Sequence, residues 1–77
     1  MDAMNVKSVS DYIERRYNSL VSYLDRGLAD KDCIKAVSAQ CFGVVDYYDM
    51  ATNGAHYDET EAMWYMWSEK FDALYGR

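Results

Sequence analysis

The chain contains no proline, and three of its four glycine sites stand where a stretch of helical length ends. Proline is the residue that most often ends or kinks a helix, so nothing inside these stretches prevents helix formation. Gly27, the Asn53-Gly54 pair and Gly76 each follow such a stretch, and glycine commonly ends a helix. The spacing therefore predicts three helices, over about residues 9–26, 31–52 and 59–75.

Polar residues typical of a helix start precede each predicted helix. Ser8 or Ser10 stands before the first helix, and Asp30 or Asp32 stands before the second. Asp58 is the predicted N-cap of the third helix, with a glutamate three residues later in a capping-box-like pair. Short linkers favour antiparallel packing of consecutive helices, so the sequence predicts an all-α fold, a three-helix antiparallel bundle running up-down-up.

Length limits this chain to one domain. We expect residues 1–77 to form a single helical domain, with residues 1–7 as a flexible N-terminal tail. A domain of this size buries only about 60% of the surface that its unfolded chain exposes. Oligomerisation is one common way in which small domains gain the missing stability.

Acidic residues outnumber basic ones, and the formal net charge is −5. An acidic surface repels phosphates and anionic lipid, so we expect neither direct nucleic-acid binding nor a membrane partner. The first ten residues contain no apolar stretch typical of an export signal. We therefore expect a cytoplasmic location and two cysteines in the free thiol form.

The second predicted helix is apolar on two opposite sides. The first side consists of Ile34, Val37, Cys41, Val44, Val45 and Tyr48. The second side consists mostly of small residues, namely Ala36, Ala39, Gly43, Tyr47 and Met50. A helix that is apolar on two sides is buried on two sides. Either the outer helices cover both sides, or one side is left for another subunit, and a glycine in mid-helix predicts a close backbone contact there.

Twelve aromatic residues are more than one small core can absorb, because large aromatic side chains bury about 150–250 Å² each. Phe42, Tyr47, Trp64 and Tyr65 are the four that we expect to stay exposed on a monomer. Aromatic residues are enriched in protein interfaces. The predicted interface is Ala36, Phe42, Gly43, Tyr47, Met50, Trp64 and Tyr65. The predicted polar contacts that set specificity are Arg15, Arg16, Asp58 and Glu59.

Residues with reactive or metal-binding side chains are few. Cys33 and Cys41 are separated along one predicted helix by about 12 Å, too far for a disulfide. His56 stands in a linker near several acids, but the segment from Asp49 to Thr60 lacks two central ligands of a calcium loop. No catalytic motif is present. We therefore expect no catalytic residues, no bound metal and no cofactor.

These observations predict a small acidic cytoplasmic module for protein–protein interaction, with no catalytic activity of its own. A homo-oligomer, first of all a homodimer, is the first candidate partner. The alternative is an acidic mimic of nucleic acid that inhibits or regulates a nucleic-acid-binding protein, of the kind that mobile elements carry. A third hypothesis is a metal-binding or catalytic site around His56.

Overall fold

The computed structural model describes residues 4–76, which form three α-helices and a closing 3-10 turn. Helix α1 spans Val6–Asp25, α2 spans Lys31–Ala51 and α3 spans Tyr57–Ala73, and the turn spans Leu74–Gly76. All pairs of helices are in contact and no strand occurs in this part of the chain, which confirms the all-α three-helix bundle. Within residues 4–76, none of the helices combines the length and the apolar content that crossing a membrane requires.

Helix α1 begins three residues earlier than predicted. The Ser8 N–H donates to the Asn5 side chain at 2.8 Å, and the Asn5 N–H donates to the Ser8 hydroxyl at 2.8 Å. This reciprocal capping box makes Asn5 the N-cap and places Ser8, a predicted start, inside the first turn. The predicted tail over residues 1–7 thus overlaps the helix at its end, and residues 1–3 lie outside the described residues.

Helix α3 also begins earlier than predicted, and the capping box expected at Asp58 is wrong. The N-cap is His56, whose side chain makes no capping hydrogen bond. The Thr60 N–H donates to the His56 carbonyl at 3.0 Å, so the helical hydrogen-bond ladder already includes His56. Asp58 and Glu59 instead lie in the first helical turn, where their charge stabilises the positive end of the helix dipole.

The remaining helix ends follow the predicted chemistry. Asp30 is the N-cap of α2 and accepts a hydrogen bond from the Cys33 N–H at 3.2 Å. Gly27 and Gly54 both have a φ of 72°, and Asn53 has a φ of 55°. Side chains with a Cβ rarely adopt this left-handed backbone, which explains why glycine stands after α1 and after α2.

The three helices enclose one core, and α1 and α3 contact each other less than either contacts α2. The tyrosine ring of Tyr17 lies 5.4 Å from the Trp67 ring and 5.5 Å from the Phe71 ring, which ties α1 to α3. The indole N–H of Trp67 is buried and has no hydrogen-bond partner among the described residues. The buried apolar residues are Val9, Ile13, Leu20, Ile34, Cys41, Val45, Tyr48, Met63, Trp67, Phe71 and Leu74.

The molecule is flat, with Cα extents of 39 × 26 × 15 Å. Its radius of gyration is 13.1 Å, whereas a compact domain of this length has about 11.5 Å. Its accessible surface is 5302 Å², whereas about 4,800 Å² is typical of a monomer of this mass. The chain therefore exposes more surface than a compact domain of this size.

Candidate functional site

The second apolar side of α2 is open to solvent along its length. We call this surface, which consists of Ala36, Ala39, Gly43, Tyr47 and Met50, the open face of α2; all five residues are exposed. The side chains of Tyr47 and Met50 are 60% and 73% exposed. A Cβ placed on Gly43 would meet no atom within 4 Å, so the close contact predicted there is not made within one chain.

The open face has the spacing of a helix-pairing seam. Ala36, Ala39, Gly43, Tyr47 and Met50 follow one another at intervals of three, four, four and three residues. This spacing averages the 3.5-residue period with which one α-helix packs along another at a crossing angle of about 20°. Small residues at three of these positions allow a close approach of the second helix backbone.

Phe42 and Trp64 are not exposed in the way that the sequence predicted. Their rings stack on each other, with centroids 4.5 Å apart and an interplanar angle of 28°, and both side chains are partly buried. Phe42 also contacts the edge of the Phe71 ring at 6.1 Å. The two rings therefore cover part of each other's apolar surface at the boundary between α2 and α3.

Tyr65 remains 69% exposed and lies on α3 beside this stack. Tyr65 and Asp46 of α2 line the same concave surface between the two helices. The neighbouring Met66 is 44% exposed. Helix α3 thus also exposes large side chains to solvent.

The four residues predicted to make polar contacts with a partner differ in their interactions within the chain. The guanidinium of Arg16 donates a hydrogen bond to Gln40 across the α1–α2 boundary and lies 6.0 Å from the Tyr12 ring. Arg15 is exposed and forms no ion pair with any residue in the 4–76 range. Asp58 and Glu59 are exposed at the start of α3. Arg15 is therefore free to contact another molecule, whereas Arg16 has a role within the fold.

Of the acids near His56, Asp58 and Glu59 line one concave surface with it, whereas Asp46 and Asp49 do not. Glu59 Oε1 lies 3.7 Å from His56 Nδ1, and the imidazole stacks on the Tyr48 ring at 5.9 Å. Asp46 and Asp49 instead line a different surface, between α2 and α3. Among the described residues, no three His, Cys, Asp or Glu side chains are arranged to hold a metal ion. The hypothesis of a metal site around His56 gains no support from this geometry.

The two cysteines occupy different environments and are both free thiols. Cys41 is buried in the core, and this burial raises the pKa of its thiol, while the nearby Arg16 charge opposes the shift. A thiol with a raised pKa stays protonated at neutral pH and is a poor nucleophile. Cys41 is therefore a core residue rather than a reactive one.

A cleft between the second half of α2 and the first half of α3 was not predicted from the sequence. Its volume is about 280 Å³. The Thr60 hydroxyl, which is buried, donates to the Asp49 carboxylate at 2.7 Å and fixes one wall. We call this feature the α2–α3 cleft; it is lined by Asp46, Asp49, Tyr57, Thr60, Glu61, Trp64 and Tyr65.

The fold and these surfaces place the chain in the class of small all-α bundles, which by itself assigns no function. Compared with known protein families, curated proteins and solved structures, the chain shows no significant match in any of the three comparisons. The chain's own surfaces are consequently the basis for inferring its function.

Proposed function

We propose that this protein is a protein–protein interaction module without catalytic activity, and that it self-associates through the open face of α2. The observation that carries the proposal is the exposure of Tyr47 and Met50 on a helix face with helix-pairing spacing. Exposed apolar surface of this kind is costly in water and marks sites of association.

A second copy is the favoured partner because the open face is complementary to itself in size. In two antiparallel helices related by a twofold axis at Gly43, residues whose numbers add up to 86 lie opposite each other. Ala36 then faces Met50 of the second copy, and Ala39 faces Tyr47 of the second copy. Each large side chain meets a small one, and the two Gly43 residues meet at the axis, where they allow close approach.

The size of the open face determines how strongly we expect two copies to associate. The face from Ala36 to Met50 is about 21 Å long, since an α-helix rises about 1.5 Å per residue. A stable interface usually covers about 800 Å² per partner, which is about 15% of the 5302 Å² surface of this chain. One helix face of this length supplies only part of that area, so we expect a dimer with a micromolar dissociation constant.

Sedimentation of the wild type and two charge variants tests the proposal. The wild type should be a dimer at tens of micromolar, and Tyr47→Glu should be a monomer, because a carboxylate is costly to bury opposite alanine. Tyr23→Glu is the matched control, since Tyr23 is a similarly exposed tyrosine on α1 outside the open face. A wild type that stays monomeric throughout this range, or a Tyr47→Glu protein that associates equally well, contradicts the proposal.

Disulfide mapping tests the antiparallel register. In a background without the native cysteines, Gly43→Cys should cross-link to itself, because the twofold axis brings the two Cα atoms within about 7 Å. Ser22→Cys, at an exposed position on α1, should not cross-link at the same rate. Equal rates for the two variants would exclude this register.

The nucleic-acid mimic and the metal-binding or catalytic site around His56 stay predictions. Asp58 and Glu59 of α3 lie at the helix start, and Glu61 lines the α2–α3 cleft. No specific observation favours either alternative over association.

A further inference from the structure

We propose that the α2–α3 cleft binds the guanidinium group of an arginine side chain carried by a basic partner protein. This site is separate from the self-association proposed above, and neither depends on the other. Three independent features of the cleft carry the inference: its concave shape, its aromatic walls and its uncompensated negative charge.

The shape suits one side chain. At about 280 Å³ the cleft lies just below the range of about 300–1,000 Å³ that is usual for small-molecule sites. It is open to solvent, because Asp46, Tyr57, Glu61 and Tyr65 are all exposed. A long side chain that projects from a partner surface can enter such a cleft without a rearrangement of the helices.

The walls suit a planar cation. Three aromatic residues, Tyr57, Trp64 and Tyr65, are among the residues that line the cleft. The Trp64 ring is held in place by its stack on Phe42, so one wall is pre-organised. A guanidinium stacks on aromatic faces more readily than an ammonium, because it is planar and more weakly hydrated.

The charge requires a cation. Asp46, Asp49 and Glu61 line the cleft, and no lysine or arginine is among its lining residues. Asp46 has no hydrogen-bond or ion-pair partner in the described part of the chain. Asp49 accepts from Thr60, and the hydrogen bond with Glu61 raises the pKa of the Tyr57 phenol. These internal bonds orient two of the carboxylates and leave oxygens available to a ligand.

The arrangement of the carboxylates favours a spread-out cation over a metal ion. No group of three potential ligands converges on one point among residues 4–76. Carboxylates that are spread along a cleft match the several donors of a guanidinium, which pairs with carboxylates through two parallel hydrogen bonds. The chain's net charge of −5 further favours a basic partner for this cleft.

The test is an NMR titration of the full chain with N-acetyl-arginine methylamide, followed at the indole N–H of Trp64. The neutral analogue N-acetyl-citrulline methylamide, which has nearly the same shape, is the matched probe. We expect a saturable shift with a dissociation constant of about 1–10 mM, typical of a ligand this small. The citrulline probe should bind at least about fivefold more weakly, since it lacks the charge.

Charge variants locate the effect. Glu61→Gln and Asp46→Asn should each weaken binding of the arginine probe about threefold or more. Tyr65→Ser, which changes an exposed residue without touching the core, should also weaken it. Glu69→Gln is the control, because Glu69 is an exposed acid on α3 that does not line the cleft.

Three results would overturn the proposal. They are no saturable shift up to about 50 mM probe, equal binding of the citrulline probe, and equal weakening by Glu69→Gln and Glu61→Gln. Sedimentation of the same samples keeps the two proposals distinguishable. Loss of arginine binding with intact self-association refutes only the cleft, and the reverse refutes only the open face.

Discussion

Gly43→Ala should raise the stability of the isolated chain, although a change from glycine to alanine lowers stability at turns where the glycine has a positive φ. Gly43 lies within α2, and a Cβ there would meet no atom within 4 Å. Alanine is favoured over glycine inside a helix by about 0.8–1.0 kcal/mol. For 77 residues the unfolding entropy near the midpoint is about 160 cal/mol/K, so the gain corresponds to a rise in Tm of about 5–6 °C.

Thermal unfolding followed by tryptophan fluorescence at about 0.1 µM measures this change, since a dimer with a micromolar dissociation constant is largely dissociated there. Gly27→Ala is the matched control: Gly27 has a φ of 72°, so the same added methyl should lower Tm by a similar amount. At high concentration the gain from Gly43→Ala should shrink, because two methyl groups then meet at the proposed twofold axis. An unchanged or lower Tm for Gly43→Ala in the dilute sample would refute the reasoning about this face.

Two further predictions concern the α2–α3 cleft. Thr60→Val keeps the shape of the buried side chain and removes the hydrogen bond to Asp49, so urea unfolding should show a loss of about 1–2 kcal/mol. The loss should largely disappear in an Asp49→Ala background, which lacks the acceptor, if the two groups act as a pair. Glu61→Gln should lower the pKa of Tyr57, measured by NMR titration of labelled tyrosine rings, because the hydrogen bond to Glu61 is the main cause of its raised value. Since this pKa is raised in the folded state, the contribution of the hydrogen bond to folding stability is complete below about pH 10 and is lost as pH rises through the folded-state pKa. If the pKa of Tyr57 is the same in the variant as in the wild type, the assignment to Glu61 is contradicted.

The number and order of the helices were predictable because local residue chemistry determines where the helices of this chain end. Gly27 and Gly54 adopt a left-handed backbone that few other residues tolerate, so their positions mark helix ends in any tertiary context. Helix starts were less predictable, because several neighbouring residues can serve as a cap. Asn5 competes with Ser8, and only the reciprocal hydrogen bonds between them decide which is outside the helix.

An exposed surface could be predicted from the sequence only where all of its residues belong to one helix. Tyr47 and Met50 belong to one face of one helix, and helical periodicity suffices to place them together. Phe42 was misjudged because a helical wheel places it among polar residues and says nothing about the angle at which α3 crosses α2. The α2–α3 cleft was missed for the same reason, since Asp46 and Glu61 meet only when two helices are docked.

The 15 Å thickness of the molecule has a consequence for how it comes apart. In so thin a molecule, departure of α3 would wet Phe71 and Trp67 together with the Tyr17 ring that they contact. Detachment of α3 therefore also exposes core side chains of α1, and we expect the slowest amide protons of α1 and α3 to exchange through one shared event.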